Sequence, residues 1–582
     1  MKNLAELRAR KKPVIQKGVG YTYNPLTFAK EHAMSNFIEV ETAQEILDRI
    51  RPLCFRGRHF ISFDTETHPY YKSSQDLPKE VVRRWVGKGK KAVPQDFPFS
   101  IQVCDGTNSF ILYDSVDNNF AKFRGLAPLF EDASIEKVAH NCKFDMHEMA
   151  NAGMRIVGRL HDTVVLAKIA NENRTSFELR DIAARLPNGI VKFEYMVDSY
   201  KAMNKVADYR QIPRELLTQY GGADVHNCLL EFVADYVKLE EENLIPLYDT
   251  ECEVMMALYA QERYGMKVDA SYEEPLKAEL QQLTDVAEAA IYEEAGGLFN
   301  INSGKQLYGV LMRLGVNKNW ISFTDKGNPT LDKKALQTLA EKYNVSIVQK
   351  ILEYRKYEKL LNTYAVGIYA QRDSEDRVHG NINQTEATTG RMSITKPALQ
   401  TLPKKDKRIR RAFIPDDDYE LWFMDLDQIE YRLFAHYAKI PSLLEAIKNG
   451  YDVHAAMAAM IFHIELDELL HGIHEHEVLE NTLKDCKDPE EAEKLKGLIA
   501  VLQRYVDMRS KGKTINFALI YGVGIEHLAE LLRCTTTEAT ELKANYFAQM
   551  PEARVFINTV YQVIKQRGFV KNFYGRRRRL DV

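Results

Sequence analysis

An apolar strand that runs into paired acids constrains this chain most. His59 to Phe63 reads HFISF and leads directly into Asp64-Thr65-Glu66. Residues i and i+2 of a strand point to one face, so the Asp64 and Glu66 carboxylates converge and can share a cation. Further strands are expected at Ser100 to Val103 and Phe110 to Tyr113, with a turn at Asp105-Gly106 between them. The pattern is an alternating α/β one to about residue 240.

Two cations need more than two carboxylates. The segment His140-Asn141-Cys142-Lys143-Phe144-Asp145 places a third acid at a strand-to-helix junction. Tyr220-Gly221-Gly222-Ala223-Asp224 places a fourth on a helix. There Tyr220 and Asp224 are i and i+4 and face the same way, so the phenol can orient an attacking water. In two-metal phosphodiester hydrolysis, one ion generates hydroxide and the other steadies the leaving oxygen, about 4 Å away.

A length of 582 residues allows roughly three to four domains, so a second site can coexist with the first. Leu244 to Tyr369 reads as strongly helical. Leu421-Trp422-Phe423-Met424 then reads as a buried strand, part of Tyr419 to Met424, that ends in Asp425. Long helices follow from about Pro441 to Gln566. Arg509, Lys513, Phe517 and Tyr521 recur at intervals of four, which puts two cations and an aromatic on one helical stripe. Arg509 and Phe517 lie about 12 Å apart along the axis, a span suited to a triphosphate at one end and a base at the other. Cations there neutralise phosphate.

Composition limits the partners. A net charge of −3 argues against binding nucleic acid by bulk charge, but the tracks Lys404 to Arg411 and Arg576 to Arg579 are locally basic. No apolar run of about 20 residues occurs, and the N-terminus lacks the apolar core of an export signal. A soluble cytoplasmic protein without a membrane partner is expected. Seven cysteines without a CxxC pair indicate neither disulfides nor zinc.

Taken in order, DxE, NxxxD and YxxxD resemble the three motifs of the DEDDy 3′-5′ proofreading exonucleases. The resemblance implies a ribonuclease-H-like fold. It also implies Mg²⁺- or Mn²⁺-dependent excision from a 3′ end, with two ions held by Asp64, Glu66, Asp145 and Asp224 and with Tyr220 at the water. The second constellation resembles the A and B motifs of family A DNA polymerases, enzymes of bacterial-type and phage replication. It implies that Asp425 is a catalytic metal ligand and that Gln428, Glu430, His454, Arg509, Lys513, Phe517 and Tyr521 surround the incoming dNTP. Thr388 to Ser393 and Leu399 to Pro403 resemble the family's primer-template grip. Arg391, Ser393, Gln400, Arg576 and Arg577 are therefore expected at DNA.

By this reading, residues 1–35 are an extension, 36–240 the exonuclease domain, 241–375 a helical thumb, and 376–582 a partial palm with helical fingers. Two departures from the family stand out. About 45 residues between Phe462 and Asp507 suggest an insertion near 463–507, with Pro489 at a helix start. The family's last motif, a His-Asp-Glu turn, is absent, so a split or truncated polymerase completed by a second polypeptide is expected. In it the strand around Phe569 to Phe573 would lack its partners. The competing reading is a stand-alone exonuclease whose C-terminal region only binds DNA.

Overall fold

The computed structural model describes residues 34–69, 96–206, 208–404 and 406–580. Residues 1–33, most of the expected extension, lie outside them. The chain forms two units: residues up to Leu421 with Phe573–Arg576, and Trp422–Asn572 with the residues from Arg577 onward.

The first unit begins with a mixed seven-stranded sheet. Its strands are β1 (Phe37–Val40), β2 (Leu53–Phe55), β3 (Arg58–Pro69), β4 (Asp96–Cys104), β5 (Ser109–Tyr113), β6 (Ile135–Ala139) and β7 (Leu160–Asp162). They are ordered β1-β5-β4-β3-β6-β7, with β2 added alongside β3. The central strand β3 runs antiparallel to β4 and parallel to β6. Its alternation sorts two cores. Ile61 and Phe63 pack with Ile101, Phe110 and Phe130, while Phe60 packs on the other face with Val165, Leu229 and Phe232.

Against the strands of this sheet pack α1 (Lys143–Asn151), α2 (Thr163–Ala170), α3 (Arg214–Glu241) and α4 (Ile245–Tyr264). After them the unit is helical, as the sequence predicts. Here α5 (Glu273–Ala295) and α6 (Ser346–Lys359) pack around Leu307, Leu336, Ile347 and Ile351. Two short ladders complete it, β8 (Met266–Lys267) with β9 (Arg377–Val378), and the hairpin β10 (Asn381–Asn383) with β11 (Ser393–Thr395).

In the second unit, α7 (Ile429–Ala438), α8 (Val453–Phe462) and the C-terminal part of α10 (Pro489–Ile520) share a core with Tyr431, Met457, Ile515 and Leu519 at its centre. Pro489 opens α10, as anticipated, and Asp488 caps it. Across 463–507, where an insertion is expected, α9 (Leu466–Asp485) packs along α10. Gly472 makes room for the Tyr505 ring, which a Cβ would meet at 2.2 Å.

Two expectations fail here. Tyr419 to Met424 is not a buried strand. Trp422 and Met424 are 78% and 91% exposed, and no described strand pairs with the segment. An apolar run becomes a strand only when a neighbour accepts its backbone hydrogen bonds. Conversely, the strand expected to lack partners has one. After α11 (Pro551–Arg567), β12 (Phe569–Lys571) pairs antiparallel with β13 (Arg577–Arg579), and Arg577 lies over the Phe569 ring at 4.5 Å.

Candidate active sites

The even-numbered residues of β3 face α3. Phe60 is apolar, and the Ser62 hydroxyl donates to the Val225 carbonyl at 2.6 Å. Two residues further, the acids meet the helix. Carboxylate oxygens of Asp64, Glu66 and Asp224 all lie within 4.8 Å of one another. Asp145, in the first turn of α1, is tied to the same strand from the other side. Its Oδ1 accepts from the Thr65 backbone N–H at 3.0 Å and from the Thr65 hydroxyl at 2.7 Å. The residue between the paired acids thus anchors the third acid, a role that sequence reasoning missed.

Sequence reasoning also passed over the glycines inside YGGAD. A Cβ on Gly221 would meet the Gln102 side chain at 2.8 Å, and one on Gly222 the Phe37 ring at 2.7 Å. Two adjacent glycines cost a helix about 2 kcal/mol relative to alanine. Here they let α3 approach β4 and β1 at the turn that carries Tyr220 and Asp224. The signal was legible: paired glycines inside a helical pattern mark close packing.

The electrostatics follow from burial and crowding. Burial raises the Asp64 carboxyl to about 6, against the lowering effects of His140 and the Thr65 N–H. Burial raises Glu66 well above the usual range too, reinforced by Asp64, Asp224 and Asp145. Asp145 and Asp224 are also raised well above the usual range, by burial and then by Asp64. A hydrogen bond from Tyr220 opposes the shift of Asp224. Left to themselves, these acids hold protons at pH values where exposed carboxylates hold none. A divalent cation is the natural substitute for such protons, and a crowded all-oxygen donor set suits a hard ion. The residues therefore fit a Mg²⁺ or Mn²⁺ site.

In the second unit, the expected stripe on α10 is engaged. Nε and Nη2 of Arg509 donate to Asp452 Oδ2 at 2.8 and 2.5 Å, and Asp452 also caps α8. The Phe517 ring lies 5.5 Å from that of His454 and stacks with Tyr521 at 6.5 Å. The Tyr521 hydroxyl donates to Glu430 Oε2 at 2.5 Å. Lys513 is exposed. Buried Asn516 joins Tyr431 to His454, at 3.2 and 3.3 Å. Gly512 brings α10 against α8, because a Cβ there would meet Ala458 at 2.8 Å. Asn516 and Gly512 were not singled out from sequence. Gln428 begins α7 with positive φ (52°), its amide on Asp427 at 3.1 Å. Asp425 stands in the exposed segment and belongs to no metal-sized cluster among the described residues.

The expected DNA-contacting residues have partners within the protein. Ser393 bonds to Glu386. Gln400 donates to the Met392 carbonyl at 3.0 Å and accepts from the Ile394 N–H at 3.1 Å. Arg576 pairs with Glu251. Arg391 is exposed beside β11.

Comparison with known proteins finds relatives of both regions of the chain. A model described as DNA polymerase family A matches residues 270–472 and 492–582, and a 3′-5′ exonuclease model matches 91–233. Residues 473–491, within the expected insertion, fall outside the polymerase match. The chain is 30% identical over 466 residues to a DNA polymerase I of Chloroflexus aurantiacus, covering 78% of this chain and 45% of that protein. It is 30% identical over 467 residues to a DNA polymerase I of Pseudomonas aeruginosa, covering 78% and 47%. It thus spans about half the length of these relatives. Among solved structures it resembles the POL domain of Pol1 from M. smegmatis, in complex with DNA primer-template and dNTP. The TM-score there is 0.64 with 25% identity, covering 83% of this chain and 75% of the other. With just over half of its residues matched by the polymerase model, the chain belongs to DNA polymerase family A and joins to that region a 3′-5′ exonuclease region.

Proposed function

We propose that this protein is a DNA-templated DNA polymerase that removes misincorporated nucleotides through its own 3′-5′ exonuclease. The observation that carries the nuclease half is the cluster of Asp64, Glu66 and Asp224, with Asp145 fastened to Thr65 beside it. These four carboxylates are assigned to hold two Mg²⁺ or Mn²⁺ ions. When bound, such ions supply a hydroxide at neutral pH and stabilise charge on the leaving oxygen. Tyr220, one turn before Asp224 on α3, orients the attacking water, and the buried walls of the site strengthen each electrostatic interaction.

For synthesis, Arg509 and Lys513 are assigned to the triphosphate, His454 to a phosphate, and Phe517 to the sugar and base. Glu430, held by Tyr521, stands at the ribose 2′ position, Gln428 beside it, and Asp425 is the metal carboxylate. Residues 241–375 are assigned to the thumb and 376–582 to a partial palm and the fingers. Arg391, Ser393, Gln400, Arg576 and Arg577 belong to the primer-template track. The proposed partners are primer-template DNA and dNTPs. Nothing in the comparisons supports a second polypeptide. Among the described residues no helix is long and apolar enough to cross a membrane.

Excision of a 5′-labelled single strand with Mg²⁺, and extension of a primed template, test the two halves. Asp64→Ala with Glu66→Ala should reduce excision to background, and Asp425→Ala should stop extension while leaving excision intact. Undiminished excision by the double variant would remove the cluster from the reaction. Extension that survives Asp425→Ala would remove the exposed segment from the polymerase site. Excision without any extension would favour a nuclease with a DNA-binding region, a reading that the exposure of Asp425 keeps in play.

A further inference from the structure

The helix that carries Asp145 has a second set of polar side chains. Lys143 and His147 lie one turn apart on α1 and face away from the carboxylate cluster, toward Glu262 near the end of α4. The Lys143 ammonium donates to Glu262 Oε1 at 2.5 Å, and His147 Nε2 lies 2.8 Å from Oε2. Glu262 is 3% exposed and His147 2%. The same Oε1 accepts the backbone N–H of Ile382 on β10 at 2.6 Å, and Lys143 donates to the Ile382 carbonyl at 2.5 Å. One carboxylate therefore grips both the helix of a proposed metal ligand and a strand of the β10–β11 hairpin.

Neighbouring bonds run the same way. Lys168 of α2 donates to the Thr385 carbonyl at 2.7 Å, just beyond β10. Gln384 donates to the Glu251 carbonyl of α4 at 2.8 Å. His379 Nδ1 lies 2.7 Å from the Glu262 carbonyl oxygen. Burial resists ionisation of Glu262, but His147, Lys143 and the Ile382 N–H outweigh it and bring the carboxyl down to about 2. A buried ion pair is seldom more stabilising than apolar residues of equal volume, but it admits few alternative geometries. The hairpin has only three paired positions of its own, so these ties set its placement against α1.

We propose that Glu262 is a positioning residue for proofreading, holding the primer-template hairpin β10–β11 at a fixed place relative to the exonuclease helix α1. The proposal rests on the assignment of the carboxylate cluster to excision and of the hairpin to the primer-template track. A single strand diffuses to the carboxylates unaided. A mismatched primer end must instead reach them from a duplex held at the hairpin, so only the second process depends on the tie.

The test compares excision, with Mg²⁺ and the whole chain, of a free single strand and of a duplex with a mismatched 3′ end. Glu262→Gln keeps the shape of the side chain and removes its charge. Lys143→Met combined with Glu262→Gln removes both charges and avoids a stranded buried ammonium. In both variants, mismatch excision should fall at least tenfold while single-strand excision stays within about threefold, with the unfolding temperature of the double variant close to the parent's. An equal fall on both substrates, or no change on either, would overturn the positioning role. If the parent chain excised neither substrate, the exonuclease assignment itself would fail, a result distinct from either of those.

Discussion

Replacing Asp64 by Asn should make the metal-free protein more stable at alkaline pH while abolishing excision. Burial raises the Asp64 carboxyl from an ordinary 3.8 to about 6. At about 1.36 kcal/mol per pKa unit, that shift of about two units corresponds to about 3 kcal/mol. The sign follows from which state binds the proton more tightly. The folded protein does, so this contribution is complete below the unfolded value near 4 and is lost as pH rises through 6. Glu66, Asp145 and Asp224 shift in the same direction and deepen the loss. Asn keeps an acceptor oxygen and cannot ionise, so the variant escapes the share due to Asp64. For a domain of about 200 residues, each kcal/mol moves the melting temperature by about 2–4 °C. Calorimetry in EDTA should show the variant melting several degrees above the parent at pH 8 and close to it at pH 4. Mg²⁺ at pH 8 should then stabilise the parent, by about 2.7 kcal/mol at a hundred times its dissociation constant, and the variant much less. A difference that is the same at both pH values, or a variant less stable at pH 8, would refute the crowded-carboxylate argument.

Other substitutions probe the packing and the nucleotide site. Gly222→Ala gains about 1 kcal/mol of helix propensity but drives a methyl group into the Phe37 ring. It should still destabilise by about 1–3 kcal/mol in denaturant titration, with lower excision because α3 lifts from β1. Asp452→Asn keeps the cap of α8 and weakens a charge-assisted bond to Arg509. At roughly 1.5 kcal/mol or more, steady-state primer extension should show the KM for dNTP rising about tenfold, and an unchanged KM would dissociate Arg509 from the triphosphate. Phe517→Tyr should raise dideoxynucleotide incorporation in chain-termination assays, since the added hydroxyl can occupy the space of the missing 3′ hydroxyl. Unchanged termination would take α10 away from the sugar.

The sequence by itself determined what chain geometry dictates over a few residues. The period of two along β3 puts Asp64 and Glu66 on one face, the period of 3.6 puts Tyr220 beside Asp224, and intervals of four align Arg509, Lys513 and Phe517 on α10. Pro489 likewise announced the start of α10. Only the tertiary structure decided which of these local features meet. Asp145 reaches the paired acids through Thr65, 80 residues away along the chain. Asp224 comes within reach because Gly221 and Gly222 remove the side chains that would hold α3 off the sheet. The same dependence explains the errors. Tyr419 to Met424 has the composition of a strand but no described neighbour to pair with, and Phe569 to Lys571 gains one in β13. Glu262 looks like any acid near a helix end until Lys143, His147 and Ile382 close around it. Periodicity is a property of the backbone and survives in the one-dimensional text. Burial, desolvation and the meeting of distant charges arise only when separate segments pack.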